Sequence, residues 1–193
     1  MYAIVGLGNP DSRYALTPHN VGFMVCDLLS FSFNFSFNFS TKFIGQIGNF
    51  TYGLHKIVVL KPHTYMNLSG KSVGLLVNFY KIEIGNIIVI HDDIDLNLGV
   101  IRIKKGSSSG GHKGVQSVID ALGSNNFIRI KIGVGKDENR EASEYVLSSL
   151  DQERLKVIND SIERAKNAAV DIISTGLTQA MNVYNTKKNN SDK

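Results

Sequence analysis

Three groups of polar residues stand directly after short apolar runs in this chain, and their side chains are of kinds that hold substrates and move protons. Asn9, Tyr14 and His19 follow Tyr2–Leu7; His63, Tyr65 and Asn67 follow Ile57–Leu60; His91, Asp92, Asp93 and Asp95 follow Ile87–Ile90. A histidine oriented by an aspartate is the basic unit of general-base catalysis on water: the imidazole takes the proton, and the carboxylate fixes its tautomer and stabilises the imidazolium. His19 with Asp92 is the candidate pair, and the carboxamides of Asn9 and Asn67 suit an amide-bearing substrate or an attacking water. No serine sits in a nucleophile-elbow setting, so no covalent intermediate is expected. Other roles stay open at this level. His19 could start a helix, Asn9 could form a left-handed turn, and Asp92-Asp93 could be a turn, a cap or a divalent-metal site. His55, His63 and His91 read as structural or peripheral.

Two glycine-rich stretches invite nucleotide readings, and both fail. Gly6-Leu7-Gly8 follows a strand, but Asp11 stands at the third glycine position, Pro10 interrupts the turn, and Asp27, at the spacing of a ribose acid, falls inside a helix pattern. Gly106–Lys113 resembles a P-loop with His112 where the lysine belongs and Gly114 in place of the hydroxyl residue. That removes the magnesium ligand of phosphoryl transfer. A loop rich in backbone N–H groups leading into a helix still suits an anion.

The elements that must position these residues alternate between strands and helices. Tyr2–Leu7 reads as a short buried strand, and Ile57–Leu60 and Ile87–Ile90 read as buried parallel strands. Val100–Lys104 and Phe127–Val134 alternate apolar with basic residues, as strands with one face in the core and a basic face outward. Helical spacing covers His19 to about Leu29, a stretch from near Asn67 or Ser69 to Tyr80, Gly114–Leu122 and the long amphipathic Asp151–Ile173. Phe31–Phe39 alternates Phe with Ser or Asn, which fits either a strand with its rings on one face or a low-complexity insertion. The whole reads as an α/β chain: a single domain over 1–185 with a twisted mixed, mostly parallel sheet flanked by helices, and a polar basic tail over 186–193.

Composition narrows the class. The 193 residues are 42% hydrophobic and 20% charged, which is globular. A single cysteine, Cys26, excludes a disulfide framework and any multi-cysteine metal site, and within a helix pattern it reads as a packed thiol. No apolar run approaches the roughly 18 residues of a membrane span, and the N-terminus lacks the basic region of a signal peptide. A cytoplasmic protein is expected. The net charge of +4 is unevenly spread. Between Val100 and Lys136, seven basic side chains face one acid, a net +6, which leaves −2 elsewhere. A cluster of that sign points to a polyanionic partner or to a solvated edge.

Several motifs closely resemble bacterial peptidyl-tRNA hydrolase: Gly6–Pro10 (GLGNP), Tyr14 with Thr17–Gly22, Lys61–Val73 (KPHTYMNLSGKSV), His91–Leu96 (HDDIDL), the Gly110-Gly111-His112 turn and Gly176–Asn182 (GLTQAMN). The resemblance spans nearly the whole chain, with Phe31–Phe39 its main gap. It implies a metal-free, cofactor-free monomer that hydrolyses the ester between a peptide and the tRNA 3′-ribose, with no obligate protein partner and no membrane association. By motif, His19 is the general base and Asp92 keeps it oriented, while Asn9 contacts the peptide part and helps reject aminoacyl-tRNA. Tyr14, Tyr65 and Asn67 line the site, and Lys104 and Lys131 clamp the tRNA backbone. Lys113 replaces the asparagine usual after Gly-His, Ser107–Ser109 replaces a more glycine-rich loop, and Pro18 stands where a basic residue is common. A binding-only relative with the same fold and basic face is the nearest rival. A nucleotide-dependent oxidoreductase lacks its glycine fingerprint.

Overall fold

The computed structural model describes residues 1–137 and 139–186, so all of the tail except Thr186 lies outside the described residues. The β-branched runs become the middle of a seven-stranded sheet. Its strands are β1 (Tyr2–Gly6), β2 (Asn38–Ser40), β3 (Gly45–Tyr52), β4 (His55–Pro62), β5 (Ile87–Asp93), β6 (Ile101–Lys105) and β7 (Ile128–Gly133), in the order β2-β3-β4-β1-β5-β7-β6. The helices are α1 (Val21–Ser32), α2 (Ser69–Tyr80), α3 (Lys113–Leu122), the short α4 (Ala142–Tyr145), α5 (Gln152–Ser174) and α6 (Leu177–Tyr184). The parallel pairing expected of β4 and β5 holds, with β1 between them and β7 beside β5 also parallel, while β2, β3 and β6 pair antiparallel at the two edges. Parallel pairs are therefore half of the neighbour pairs rather than most of them.

Alternation along the central strands divides the core in two. Ala3, Val5, Val58, Leu60, Ile87 and Val89 pack with Val73, Leu76 and Val77 of α2 and Val115 and Val118 of α3. Ile4, Ile57, Val59, Ile88 and Ile90 point the other way, onto α1, α5 and α6. Strands buried on both faces read as continuous apolar runs because neither side meets water. The long helix α5 is capped by Asp151, whose carboxylate accepts the Arg154 N–H at 2.8 Å.

Three sequence expectations change. The outward basic face holds only at the edge strand. Lys104 is exposed on β6, but Arg129 on the inner strand β7 is fully buried, its guanidinium taken up by Ser107 and Ser108 of the loop after β6, and Lys131 is half-buried beside Asp93. Phe31–Phe39 is neither one strand nor a free insertion. It ends α1, turns through Asn34 in the left-handed region (φ 51°) and enters β2. Phe33 and Phe35 stack on Phe50 of β3, with ring centroids 4.4 and 5.4 Å apart, while Phe31 is left 87% exposed. The helix expected from His19 starts at Val21, after a 3-10 turn over Pro18–Asn20. Cys26 is the packed thiol foreseen, and burial pushes it up to about 12.

Gly22 sets where α1 meets the sheet. A Cβ there would lie 2.5 Å from the Ile90 carbonyl oxygen and from the backbone N and O of Leu7, none of which is the end of a flexible side chain. The first turn of α1 thus rests directly on the ends of β1 and β5. Gly22→Ala is expected to lower the unfolding free energy by about 2 kcal/mol or more, since overpacking against backbone has no rotamer to relieve it. A urea denaturation midpoint unchanged from wild type would show that α1 does not depend on this contact.

Candidate active site

The carboxyl ends of β1, β4 and β5 open onto one cleft of about 730 Å³, the place where open α/β sheets hold their ligands. Asn9, Tyr14, His19, Tyr65, Asn67, Asp92 and Lys113 all line it. Lys104 and Lys131 do not; they sit on β6 and β7, with Lys104 exposed and Lys131 ion-paired to Asp93.

Asp92 is the centre of the site and is 2% exposed. His19 Nδ1 lies 2.9 Å from both of its carboxylate oxygens, and His112 Nε2 lies 2.9 Å from Oδ1. Burial alone would push this carboxyl up, but His112 and His19 outweigh it by charge and hydrogen bonding and hold it well below the usual carboxylate range. An ionised Asp92 accepts, so His19 donates through Nδ1 and keeps the Nε2 lone pair free. The His112 tautomer is set independently. Its Nδ1 accepts the Gly114 and Val115 N–H groups at 3.1 and 3.2 Å as the N-cap of α3, so the proton is on Nε2 and is donated to Asp92. Gly110 and Gly111, with φ of 60° and 80°, form the left-handed turn that swings the ring into place.

His91, expected to be structural or peripheral, is buried at the floor of the cleft. Its Nδ1 donates to the Asp92 carbonyl at 2.6 Å, and its ring packs edge-on against His112 with centroids 4.7 Å apart. Burial, with His112 beside it, holds it well below the ordinary imidazole value, so it is neutral. His63 stacks edge-on with Phe39 and His55 with Tyr2, both outside the cleft.

Asn9 is oriented by neighbours rather than by a left-handed backbone; among the described residues, positive φ outside glycine occurs only at Asn34, Ile44 and Lys81. The Asn20 side chain exchanges two hydrogen bonds with the Asn9 backbone, at 2.8 and 3.0 Å, and Asn9 Oδ1 accepts the Met66 N–H at 2.9 Å. With its oxygen committed, Asn9 has its NH₂ group left to donate. Asp93 does not join Asp92 in a metal site: Oδ1 accepts the Asp95 N–H at 2.8 Å in a turn, and Oδ2 pairs with Lys131. His19, Asp92 and His112 do bring ligand-type atoms within 4.8 Å of one another. A metal on His112 Nε2 would force a proton onto Nδ1 against two backbone N–H groups, so this donor set fits hydrogen bonding better than coordination.

Sequence reasoning missed His112 as a site residue, since it registered only as a P-loop misfit and part of a turn. It also missed the wall formed by Glu141, Ser143, Val146 and Leu147 around α4. That wall steadies His19, because the Val146 carbonyl accepts the His19 backbone N–H at 3.0 Å. Asp27 pairs with Lys61 at 2.5 Å from its place on α1, away from any nucleotide fingerprint.

Fold and site together define a single α/β domain whose central strands end at a cleft holding a histidine–aspartate pair. The peptidyl-tRNA hydrolase family model matches residues 3–192. Curated relatives named peptidyl-tRNA hydrolase include that of Thermodesulfovibrio yellowstonii, 49% identical and covering 96% of this chain and 99% of its own length. That of Caldanaerobacter subterraneus is 45% identical, over 96% and 100%. The crystal structure of peptidyl-tRNA hydrolase from Acinetobacter baumannii superposes with a TM-score of 0.92 at 35% identity, over 97% of this chain and 96% of that one. The chain belongs to the peptidyl-tRNA hydrolase family.

The Asp92 shift has a sign. A carboxyl whose folded pKa lies below its ordinary value of 3.8 adds stability that is present above that value and is lost as pH falls below it. Asp92→Asn is therefore expected to flatten the fall of unfolding free energy with acid below about pH 4. A denaturation profile as steep as wild type would assign that slope to other carboxylates.

Proposed function

We propose that this protein hydrolyses the ester joining a peptide to the 3′-ribose of tRNA, releasing free tRNA, with water activated by His19. The observation that carries the reading is the His19–Asp92 pair: a buried carboxylate on Nδ1 and a free Nε2 lone pair at the wall of the cleft. His19 Nε2 takes a proton from water as the oxygen attacks the ester carbonyl carbon, and Asp92 stabilises the imidazolium. The same proton then passes to the departing ribose oxygen as the tetrahedral intermediate collapses to acid and free tRNA. Asn9 supplies the selectivity. Its uncommitted group is an NH₂ donor, which matches the carbonyl oxygen of an N-acylated substrate and faces a free ammonium, donor against donor, on an unblocked one. Tyr14, Tyr65, Asn67 and Lys113 line the approach. Lys104 and Lys131 contact phosphates without reading sequence. The enzyme acts in the cytoplasm as a monomer and needs neither metal nor cofactor.

The test is release of tRNA from N-blocked aminoacyl-tRNA, beside the unblocked form. Cleavage of the blocked form alone, unchanged in EDTA, is expected, with His19→Ala lowering kcat by about 10²–10⁴-fold while tRNA affinity stays within about twofold. Tight tRNA binding with no cleavage would make the chain a binding-only relative. Lys104→Ala is expected to raise KM and to reduce its dependence on salt by about one counterion. A salt slope identical to wild type would move the tRNA surface elsewhere.

A further inference from the structure

We infer that Arg129 is a positioning residue for the active site, holding the loop that delivers His112 to Asp92. Arg129 lies on the inner strand β7 and is 0% exposed. Its side chain shares a sheet face with Val89 of β5 and Lys104 of β6, its register partners, and so comes up beneath the segment joining β6 to α3. There Nη1 donates to the Ser108 carbonyl at 2.8 Å, and Nη2 donates to the Ser107 carbonyl at 2.5 Å and to the Ser107 hydroxyl. Among the described residues these are the side-chain hydrogen bonds made to Gly106–Gly111, which otherwise runs through left-handed glycines at 106, 110 and 111 with open space around the last two. A segment so free in its backbone has no intrinsic reason to end with an imidazole in one place. The planar guanidinium grips two successive carbonyls, which sets both position and orientation, and a lysine at 129 cannot reproduce that fork.

A buried cation needs acceptors, and the carbonyls of Ser107 and Ser108 supply them here. The Ser107 hydroxyl adds a third. The segment then closes on His112, whose ring is fixed at one nitrogen by α3 and at the other by Asp92. Arg129 touches neither ring nor carboxylate of that pair, so its influence runs through the backbone of the loop.

The inference builds on the hydrolase reading, and its test separates the two. Arg129→Lys is expected to lower kcat about tenfold with KM within about twofold, and to add no further loss when His112 is already alanine, as coupled positions do in a double-mutant cycle. Independently of turnover, the His112 Nε2–H proton, followed by imidazole nitrogen-15 NMR, is expected to exchange with water faster in Arg129→Lys than in wild type. Additive losses in the cycle, or unchanged exchange of that proton, would overturn the inference. If wild type cleaves no N-blocked aminoacyl-tRNA, the hydrolase reading fails and the exchange measurement alone decides the role of Arg129. Should Arg129→Lys not fold, as far-UV circular dichroism would show, Ser107→Ala removes one acceptor without burying a new charge. It is expected to move kcat and proton exchange in the same direction by a smaller factor, and no movement in either would equally overturn the inference.

Discussion

A carboxylate taken out of water is tolerable only while donors surround it, and the architecture is arranged around meeting that condition at Asp92. The donors come from distant parts of the chain: His19 from the turn before α1 and His112 from the cap of α3, while Asp92 itself lies near the end of β5. Taking a donor away from a buried carboxylate is costly, because the charge stays buried with an acceptor oxygen unpaired. Bringing these elements to the same edge of the sheet is therefore a requirement of folding as much as of chemistry. Gly22, which lets α1 rest on the ends of β1 and β5, is part of how the requirement is met.

Asn9, His19 and His112 are each held through atoms committed to neighbouring groups. Asn9 gives its oxygen to Met66 and keeps its amine. His19 gives Nδ1 to Asp92 and keeps Nε2. His112 gives Nδ1 to the start of α3 and Nε2 to Asp92. Tautomers and amide orientations are thus determined by neighbours before any substrate arrives, which is what preorganisation means at the level of individual atoms. His91 completes the arrangement as a neutral ring beneath, contributing shape and one hydrogen bond without adding charge.

The central strands and the cleft at their carboxyl ends were legible because Val and Ile runs followed by polar residues report burial on both faces and then its abrupt end. Asn9, His19 and Asp92 were legible for the same reason, as polar groups placed where a parallel sheet opens. The strand β3, GQIGNFTY, was not: two glycines and an asparagine hide it, and its role as an edge partner of β4 depends on register rather than composition. The fate of Arg129 was also hidden. Alternation with isoleucine shows only that it lies opposite the apolar face of its strand, and what covers that face is decided by strand order, which sequence spacing does not contain. His112 escaped notice because capping a helix with a ring nitrogen leaves no periodic trace.

Cys26 carries a practical consequence. Its thiol is enclosed between α1 and β1, with no exposed surface, and burial raises it to about 12, so thiolate is scarce at neutral pH. Thiolate is the form that reacts with maleimides and with peroxide. The native protein is therefore silent to thiol-directed labels. A cysteine introduced at the surface, for instance beside the mouth of the cleft, would carry a fluorophore or spin probe alone, without first removing the natural residue and disturbing the packing it completes.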